Sequence, residues 1–511
     1  MRAAIKSFEA QGDKLIDRVP VMSRTVLRGI DRVFPFVLAL GILAIWIVAA
    51  ARALPTRLGD RGIFVSVGEH LLRGETLYVT TYDNKEPLFF YFVALQRAFG
   101  AWGEILAEVV LIFICSASVY FLARRTSSNR SSLIVGFAII PIIVTGTFYF
   151  PGGSTLPATA AILAMLAALS AGHAAIAGGL LALVFLLKIP AIPVALATAF
   201  VLLVFRWQPR EWPSFVTGAI LVGATLVGIM AWRGELWPFV ETIRGNIGYA
   251  QGDLTDNSGF IRGIIVHIGR VWGRDFYTEI TAICLALALG VLALPSKEAL
   301  NENVRSIALA CAAALGAAVL SLGLTGMWPH HNQLLYISAA FAVVPLSRFL
   351  DFAFDRSVFS AFALSLCMAY FLGGAFPLRA HFAAVAEFRQ NYAELKALPP
   401  ETARLLAVAQ SGTYARIGQY DDRGHAIGLD NWRLLCSRFH QADFEPKASL
   451  QRTFDCASKA PVLLIGNDFM AAEGQPVRPQ WREFVDRVES MLASEYSCDA
   501  PSGMRVCVRR N

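Results

Sequence analysis

Charged residues gather at the two ends of a polar stretch, residues 60–91, that lies between two long apolar segments. Asp60 begins it, and Asp83, Lys85 and Glu86 end it where apolar sequence resumes. A carboxylate at a bilayer surface can act as a general base that deprotonates an attacking hydroxyl. A lysine there can bind a phosphate as a point charge. Because polar backbone at membrane depth usually lines a water-accessible site, we predict an active-site loop.

Each of these residues also has a structural interpretation. Asp60 is a suitable N-cap for a helix that starts after the Pro55–Gly59 turn region. Lys85 precedes an aromatic run, Phe89–Phe92, and could be a snorkelling lysine beside an interfacial aromatic belt. Two nearby acids and a following proline make that stretch a poor plain anchor, so we favour the phosphate-binding role.

A third polar cluster, Met327–Asn332, contains the adjacent histidines His330 and His331. Imidazoles at a membrane boundary could bind a phosphate, or ligate a metal together with a nearby carboxylate. Two adjacent histidines without a third ligand in sequence are weak evidence for a metal, so phosphate or acceptor binding is favoured. The structural alternative is a tight turn capped by polar residues.

The composition is that of an integral membrane protein. The 511 residues are 56% hydrophobic and 16% charged, against about 45–50% and 25% in soluble domains. The formal net charge of +7 lies largely between apolar runs, where Lys and Arg set topology, so nucleic-acid binding is not indicated. The chain has no P-loop, HExxH or nucleophile-elbow motif, which argues against nucleotide-driven chemistry.

The apolar runs predict a polytopic α-helical protein with about eleven transmembrane helices. A basic segment, 1–32, precedes the first span, Val33–Ala51, and places the N-terminus in the cytoplasm. Further basic clusters follow even-numbered spans, so residues from about 378 onward should be external. The run 174–205, interrupted by Lys188, could be one span or two. The further predicted spans are Trp102–Ala123, Ser131–Phe148, Leu156–Ser170, Phe215–Trp232, Glu279–Leu294, Ile307–Leu324, Gln333–Phe349 and Val358–Phe376.

The polar last quarter predicts a small external α/β domain, with strands at 461–466 and 504–510 and an amphipathic helix at 481–496. Four cysteines fall there and suggest two local disulfides in an oxidising compartment, Cys436–Cys456 and Cys498–Cys507. Free thiols in a cytosolic tail are the alternative, against which the topology argues. A second external loop, 233–278, contains a predicted interfacial helix at 261–276.

The loop resembles the first external loop of membrane glycosyltransferases with the GT-C fold. The matching features are an acid after the first span, G-x-x-L-L-x-G-x-x-x-Y from Gly68 to Tyr78, and D-N-K-x-P-L-F-x-Y from Asp83. Within that fold the group of protein O-mannosyltransferases and the aminoarabinose transferase of lipid A is the most similar. The segment WPHHNQLLYI is similar to a histidine motif in a late span of its bacterial members.

The resemblance implies that Asp60 is the catalytic base and that Lys85, aided by His330 or His331, holds the lipid phosphate. It implies a polyprenyl-phosphate sugar as donor, a lipid, glycan or protein as acceptor, and inversion at the anomeric carbon. Asp83, Glu86, Arg61 and Tyr82 would position these groups. The chain departs from the family at Glu86, where proline is usual, and at Arg61, where a second acid often stands. Because of those departures no cofactor is assigned, and a divalent metal stays an open alternative.

We therefore predict a GT-C enzyme of a bacterial inner membrane with a periplasmic active site. Its domains would be an N-terminal cytoplasmic segment (1–32), a transmembrane GT-C domain (33–377) with a catalytic loop at 53–101, and a periplasmic domain (378–511). The rival hypothesis is a transporter or flippase of a lipid-linked precursor. Transporters usually place charges at the bilayer midplane, whereas here they gather at one face, apart from Lys188. The sugar, the acceptor and the oligomeric state stay open.

Overall fold

A computed structural model describes the chain from residue 60 onward, with gaps. The described ranges are 60–129, 131–133, 135–136, 139, 153–205, 211–254, 302–324, 344, 347, 400–409, 412–417, 433–438, 447–466, 479–500 and 504–510. Outside them lie the segment 1–32, the predicted spans at 33–51, 279–294 and 358–376, and the predicted interfacial helix at 261–276. Nearly all of the predicted span at 333–349 and most of that at 131–148 also fall outside.

Two helices of the loop that follows the first predicted span precede the apolar bundle: α1, Asp60–Leu72, and α2, Pro87–Ala98. The bundle then follows in chain order as α3 Gly100–Arg124, α4 Thr155–Ser170, α5 Ala174–Leu187, a 3-10 turn Ile189–Ala191, α6 Ile192–Phe205, α7 Glu211–Trp232, α8 Leu236–Leu254 and α9 Glu302–Leu324. The open question about residues 174–205 is answered: two helices form, and Lys188 lies at the break between them.

The bundle presents an apolar outer surface. Within the described residues, Trp102–Arg124 and Glu211–Trp232 are long and apolar enough to cross a membrane. Large apolar side chains on them face outward, including Trp102, Phe113 and Leu221. Such a surface would be a liability in water and suits lipid. Inside the bundle α5 packs against α4 and α7, and α6 packs against α9.

Close approach of α5 and α7 depends on glycine. A methyl group at Gly178 would collide with the carbonyl of Phe215, and one at Gly218 with the carbonyl of Ala175. Small residues of this kind let helix backbones touch where lipid offers no hydrophobic driving force for association.

The last quarter adds α10 Pro400–Val408, β2 Thr413–Ile417, β3 Arg433–Arg438, α11 Lys447–Ala457, β4 Val462–Gly466, α12 Pro479–Glu495, β5 Tyr496–Asp499 and β6 Met504–Arg509. Together with β1, Thr81–Tyr82, the strands form one sheet in the order β1-β3-β2-β4-β6-β5, parallel as far as β4 and antiparallel beyond it. Strands β4 and β6 and helix α12 match the elements predicted from the sequence. The structure links Cys436 to Cys456 and Cys498 to Cys507, the local pairs predicted from their spacing.

One strand of that sheet comes from the loop that also contains α1 and α2. Strand β1, Thr81–Tyr82, pairs in parallel with β3, placing Thr81 opposite Ser437. Alternate residues of the other strands point to opposite faces of the sheet. Tyr414 and Val462 join the core shared with the loop, whereas Leu463 packs with α11 and α12. The polar last quarter and the early loop are therefore built into a single sheet.

Candidate functional site

Helices α1 and α2 lie side by side and run in the same direction. Phe64 packs edge-to-face on Phe89, with ring centroids 4.9 Å apart. One turn later Gly68 contacts Val93, and beyond it Glu69 forms an ion pair with Arg97 at 2.7 Å. Because the offset between partners stays near 25 to 28 residues along both helices, their N-terminal ends lie at the same level.

The backbones of two pairs of charged residues of the loop lie at this shared end. Asp60 and Arg61 occupy the first turn of α1, one turn before Phe64. Lys85 and Glu86 immediately precede α2, one turn before Phe89 and Phe90. The register therefore sets the backbone of Asp60 level with that of Lys85 and Glu86. An acid in a first helical turn also interacts favourably with the helix dipole, so the structural interpretation of Asp60 stays open too.

The backbone of Lys85 is held on both sides. Its N–H donates to Asp83 Oδ1 at 3.1 Å, and its carbonyl accepts a hydrogen bond from the Tyr78 hydroxyl at 2.6 Å. Within the described part of the chain, the Lys85 ammonium makes no hydrogen bond or ion pair. Asp83 is buried and fixes the lysine through its main chain rather than through its charge. The arrangement fixes the backbone from which the lysine side chain extends.

The contacts that Tyr78 and Asp83 make with the Lys85 backbone are called the clamp below. Tyr78 itself has a left-handed backbone conformation, with φ of 62°. A tyrosine in that region costs about 1–3 kcal/mol, which surrounding contacts must offset. Its ring stacks on Phe239 of α8, with centroids 5.6 Å apart, and its edge faces Tyr82 of β1 at 6.3 Å. Tyr82, expected to position the site, therefore supports the residue that holds Lys85.

Glu86 reaches the break between α5 and α6. Its Oε1 accepts the backbone N–H of Ile189 at 2.7 Å, and Lys188 Nζ donates to Thr155 Oγ1 at 3.0 Å. Burial raises the pKa of the Glu86 carboxyl, against the opposing effects of the Ile189 N–H and the Lys188 charge. Lys188 was the one doubtful exception to the predicted absence of midplane charges. Because Glu86 contacts the next residue, Lys188 lies next to this residue of the loop.

Glu235, fully buried between α7 and α8, connects this region to the loop that contains α1 and α2. It accepts hydrogen bonds from the Tyr91 hydroxyl at 2.6 Å, Arg233 Nε at 2.9 Å and the Leu77 N–H at 3.2 Å. In the same region Asn246 of α8 donates to the carbonyl of Asn84 at 2.8 Å. The segment leading to Lys85 is thereby fastened to α7 and α8.

The predicted histidine pair, His330 and His331, lies outside the described residues, as does the side chain of Asp60. Among the residues that are described, no group of three His, Cys, Asp or Glu side chains could hold a metal ion. Sequence reasoning missed Glu235 and gave Lys188 no role. A single ionisable residue inside or beside an apolar run was the only available signal.

The fold has counterparts among solved structures. No protein-family model and no curated protein matches the chain. ArnT from Cupriavidus metallidurans bound to undecaprenyl phosphate aligns over 93% of this chain and 97% of its own, with a TM-score of 0.51 and 13% identity. An apo oligosaccharyltransferase from Archaeoglobus fulgidus aligns over 93% and 74%, with a TM-score of 0.48 and 11% identity. Arabinofuranosyltransferase AftD from Mycobacteria aligns over 94% and 40%, with a TM-score of 0.46 and 15% identity.

The likeness to ArnT extends over nearly the whole of both chains and identifies a polytopic membrane fold of the GT-C type. The resemblance inferred from residues 60–91 is confirmed at this level.

Proposed function

We propose that the protein is an inverting membrane glycosyltransferase that uses a polyprenyl-phosphate-linked sugar. The acceptor would be a lipid, a glycan or a protein on the periplasmic face of the inner membrane. The observation that carries this proposal is the parallel pairing of α1 and α2, which sets the residue-60 backbone at the level of a lysine whose backbone is held on both sides. A base and a cation at one level are the two groups this reaction needs.

In the proposed mechanism Asp60 removes the proton of the acceptor hydroxyl as that oxygen attacks the anomeric carbon. The bond from the anomeric carbon to the phosphate oxygen breaks, and the lipid phosphate leaves with the electron pair. Lys85 stabilises the charge that develops on the departing phosphate. Because a phosphate is already a good leaving group, one base and a cationic site suffice. His330 or His331 would assist the phosphate.

Support for the donor class comes from the fold. ArnT, the neighbour with the same fold over nearly its full length, was solved with undecaprenyl phosphate. A lipid carrier also suits this chain, whose sequence has no nucleotide-binding motif. A transporter is less well supported, since transporters usually place charges at the bilayer midplane, whereas the predicted site charges gather at one face and Lys188 lies next to loop residue Glu86.

Mass analysis of envelope glycolipids and glycoproteins from a deletion strain tests the activity. Loss of one sugar modification, restored by the wild-type chain but not by Asp60→Asn, would support the proposal. Asp486→Asn changes an exposed carboxylate on α12 and serves as the matched control that restores it. A deletion strain that instead accumulates a lipid-linked precursor on the cytoplasmic face would favour the transporter.

A further inference from the structure

A second lysine lies close to the proposed phosphate site. Lys188 is only 7% exposed, and its charge interacts with those of both Glu86 and Lys85. The residue stands at the end of α5, where the helix stops and a 3-10 turn begins. Thr155, which accepts its hydrogen bond, begins α4. Two helix ends and the loop thus converge around this ammonium.

Within the part of the chain that the structure describes, the buried charge of Lys188 has no direct ionic partner. Among the described residues, its ammonium donates only to the hydroxyl of Thr155 and has no carboxylate within ion-pair distance. Glu86 is near enough to interact electrostatically, but its Oε1 is engaged by the N–H of Ile189. Burying an ammonium costs several kcal/mol, and buried charges are normally paired. An apolar residue would fill the same space at lower cost.

The nearby Lys85 adds to the cost of burying the Lys188 ammonium. The Lys85 ammonium is likewise without an ion pair in the described part of the chain, and like charges in a low-dielectric site repel each other. A bound anion between or beside them would relieve both the repulsion and the missing pairing.

We propose that Lys188 is a second phosphate-binding residue, which contacts the phosphate of the lipid donor together with Lys85. This inference rests on the proposed function. Glu86 would be a resting counter-charge for Lys188 and would hold the turn that presents it. Glu86 stands where the family usually has proline, and in this chain Lys188 would supply the opposite charge near it.

Binding of radiolabelled undecaprenyl phosphate to the full-length protein in phosphatidylcholine nanodiscs tests this role. Lys188→Met keeps the length and removes the charge, and should weaken binding about tenfold or more, as loss of a charged hydrogen bond does. Lys447→Met removes an exposed lysine paired with Glu483 and should leave binding unchanged. Equal affinity of Lys188→Met and the wild type would overturn the inference while leaving the proposed donor intact.

Glu86→Gln separates ligand binding from a structural role. Glutamine can still accept the N–H of Ile189 but removes the competing charge, so affinity should rise or hold. If Glu86→Gln weakens binding as much as Lys188→Met does, the pair is structural and the inference fails.

Titration with inorganic phosphate distinguishes the sources of the anion. Binding of free phosphate that depends on Lys188, without binding of the lipid, would support the anion site and refute the lipid donor. A wild-type protein that binds neither ligand would refute both proposals.

Discussion

The hydroxyl of Tyr91 donates a hydrogen bond to the carboxylate of Glu235, 144 residues further along the chain, at 2.6 Å. Tyr91 lies on α2 of the loop after the first predicted span, and Glu235 begins the segment that follows α7. The same carboxylate accepts hydrogen bonds from Leu77 and Arg233. Two loops that are distant in sequence are therefore joined at a buried acid, on the side of the bundle where Lys85 lies.

Removing that acid should loosen the loop. Glu235→Gln retains the shape but loses the charge that pairs with Arg233, and we expect a loss of about 1–3 kcal/mol in the free energy of unfolding. Transfer activity should fall with it. Thermal unfolding and limited proteolysis of residues 73–86 measure the effect. Glu241→Gln, which removes an exposed ion pair with Arg452, should change neither. An unchanged unfolding temperature for Glu235→Gln would contradict the anchoring role.

Tyr78→Phe should reduce activity without unfolding the protein. The substitution deletes the hydrogen bond to the carbonyl of Lys85 and keeps the ring against Phe239. A single hydrogen bond of this kind is worth about 1 kcal/mol, so we expect roughly a fivefold loss in transfer rate. Tyr120→Phe, which removes an exposed hydrogen bond to Asn129, is the control. Full activity in Tyr78→Phe would show that the clamp does not position Lys85.

Because of the buried His70, the stability of the folded protein should depend on pH. Burial lowers its pKa from 6.5 to about 3, with contributions from the charges of Arg416 and Arg73. The unfolded chain therefore binds a proton that the folded chain does not, and stability falls as the pH drops from about 6.5 toward 3. His70→Gln should flatten the dependence by up to about 1.4 kcal/mol per pH unit. Unfolding temperatures measured across that range check it, and an unchanged slope in the variant would refute the assignment.

The disulfide between Cys436 and Cys456 should matter for the loop as well as for the sheet. Cys436 lies on β3, the strand that pairs with Thr81 of the loop, and the bond ties that strand to α11. Replacing both cysteines with serine should cost about 2–5 kcal/mol of stability. It should also lower transfer activity at temperatures where the protein stays folded.

The second disulfide provides the comparison. Cys498 and Cys507 join β5 and β6, at the opposite edge of the sheet from β1. Their replacement should reduce stability and leave activity of the folded protein nearly unchanged. Equal loss of activity in both variants would indicate that the sheet does not act on the loop through β3.

Much of this architecture follows from local sequence. Short strand-like segments predicted β4 and β6, the amphipathic pattern predicted α12, and Asp60, Lys85 and their neighbours were singled out by their position beside apolar segments. Strand β1 could not be predicted, because it has two residues and its partner lies late in the chain.

The parallel register of α1 and α2 was equally beyond local reasoning. It depends on the segment 73–86, which leads from the end of α1 back to the start of α2 and is held by Glu235. Such contacts leave no periodic pattern in the sequence. Lys188 was noticed as a charge in an apolar run, but its level in the bundle follows only from the contact of Glu86 with Ile189.

We propose that Asp60 acts in the chemical step and not in donor binding. Purified wild type and Asp60→Asn should be compared for undecaprenyl-phosphate affinity and for sugar transfer from a synthetic polyprenyl-phosphate donor, once the deletion strain has identified sugar and acceptor. Loss of a general base costs about 10²–10⁴ in rate, so transfer should fall by that factor while affinity stays within about twofold. Transfer by Asp60→Asn at the wild-type rate would contradict the account.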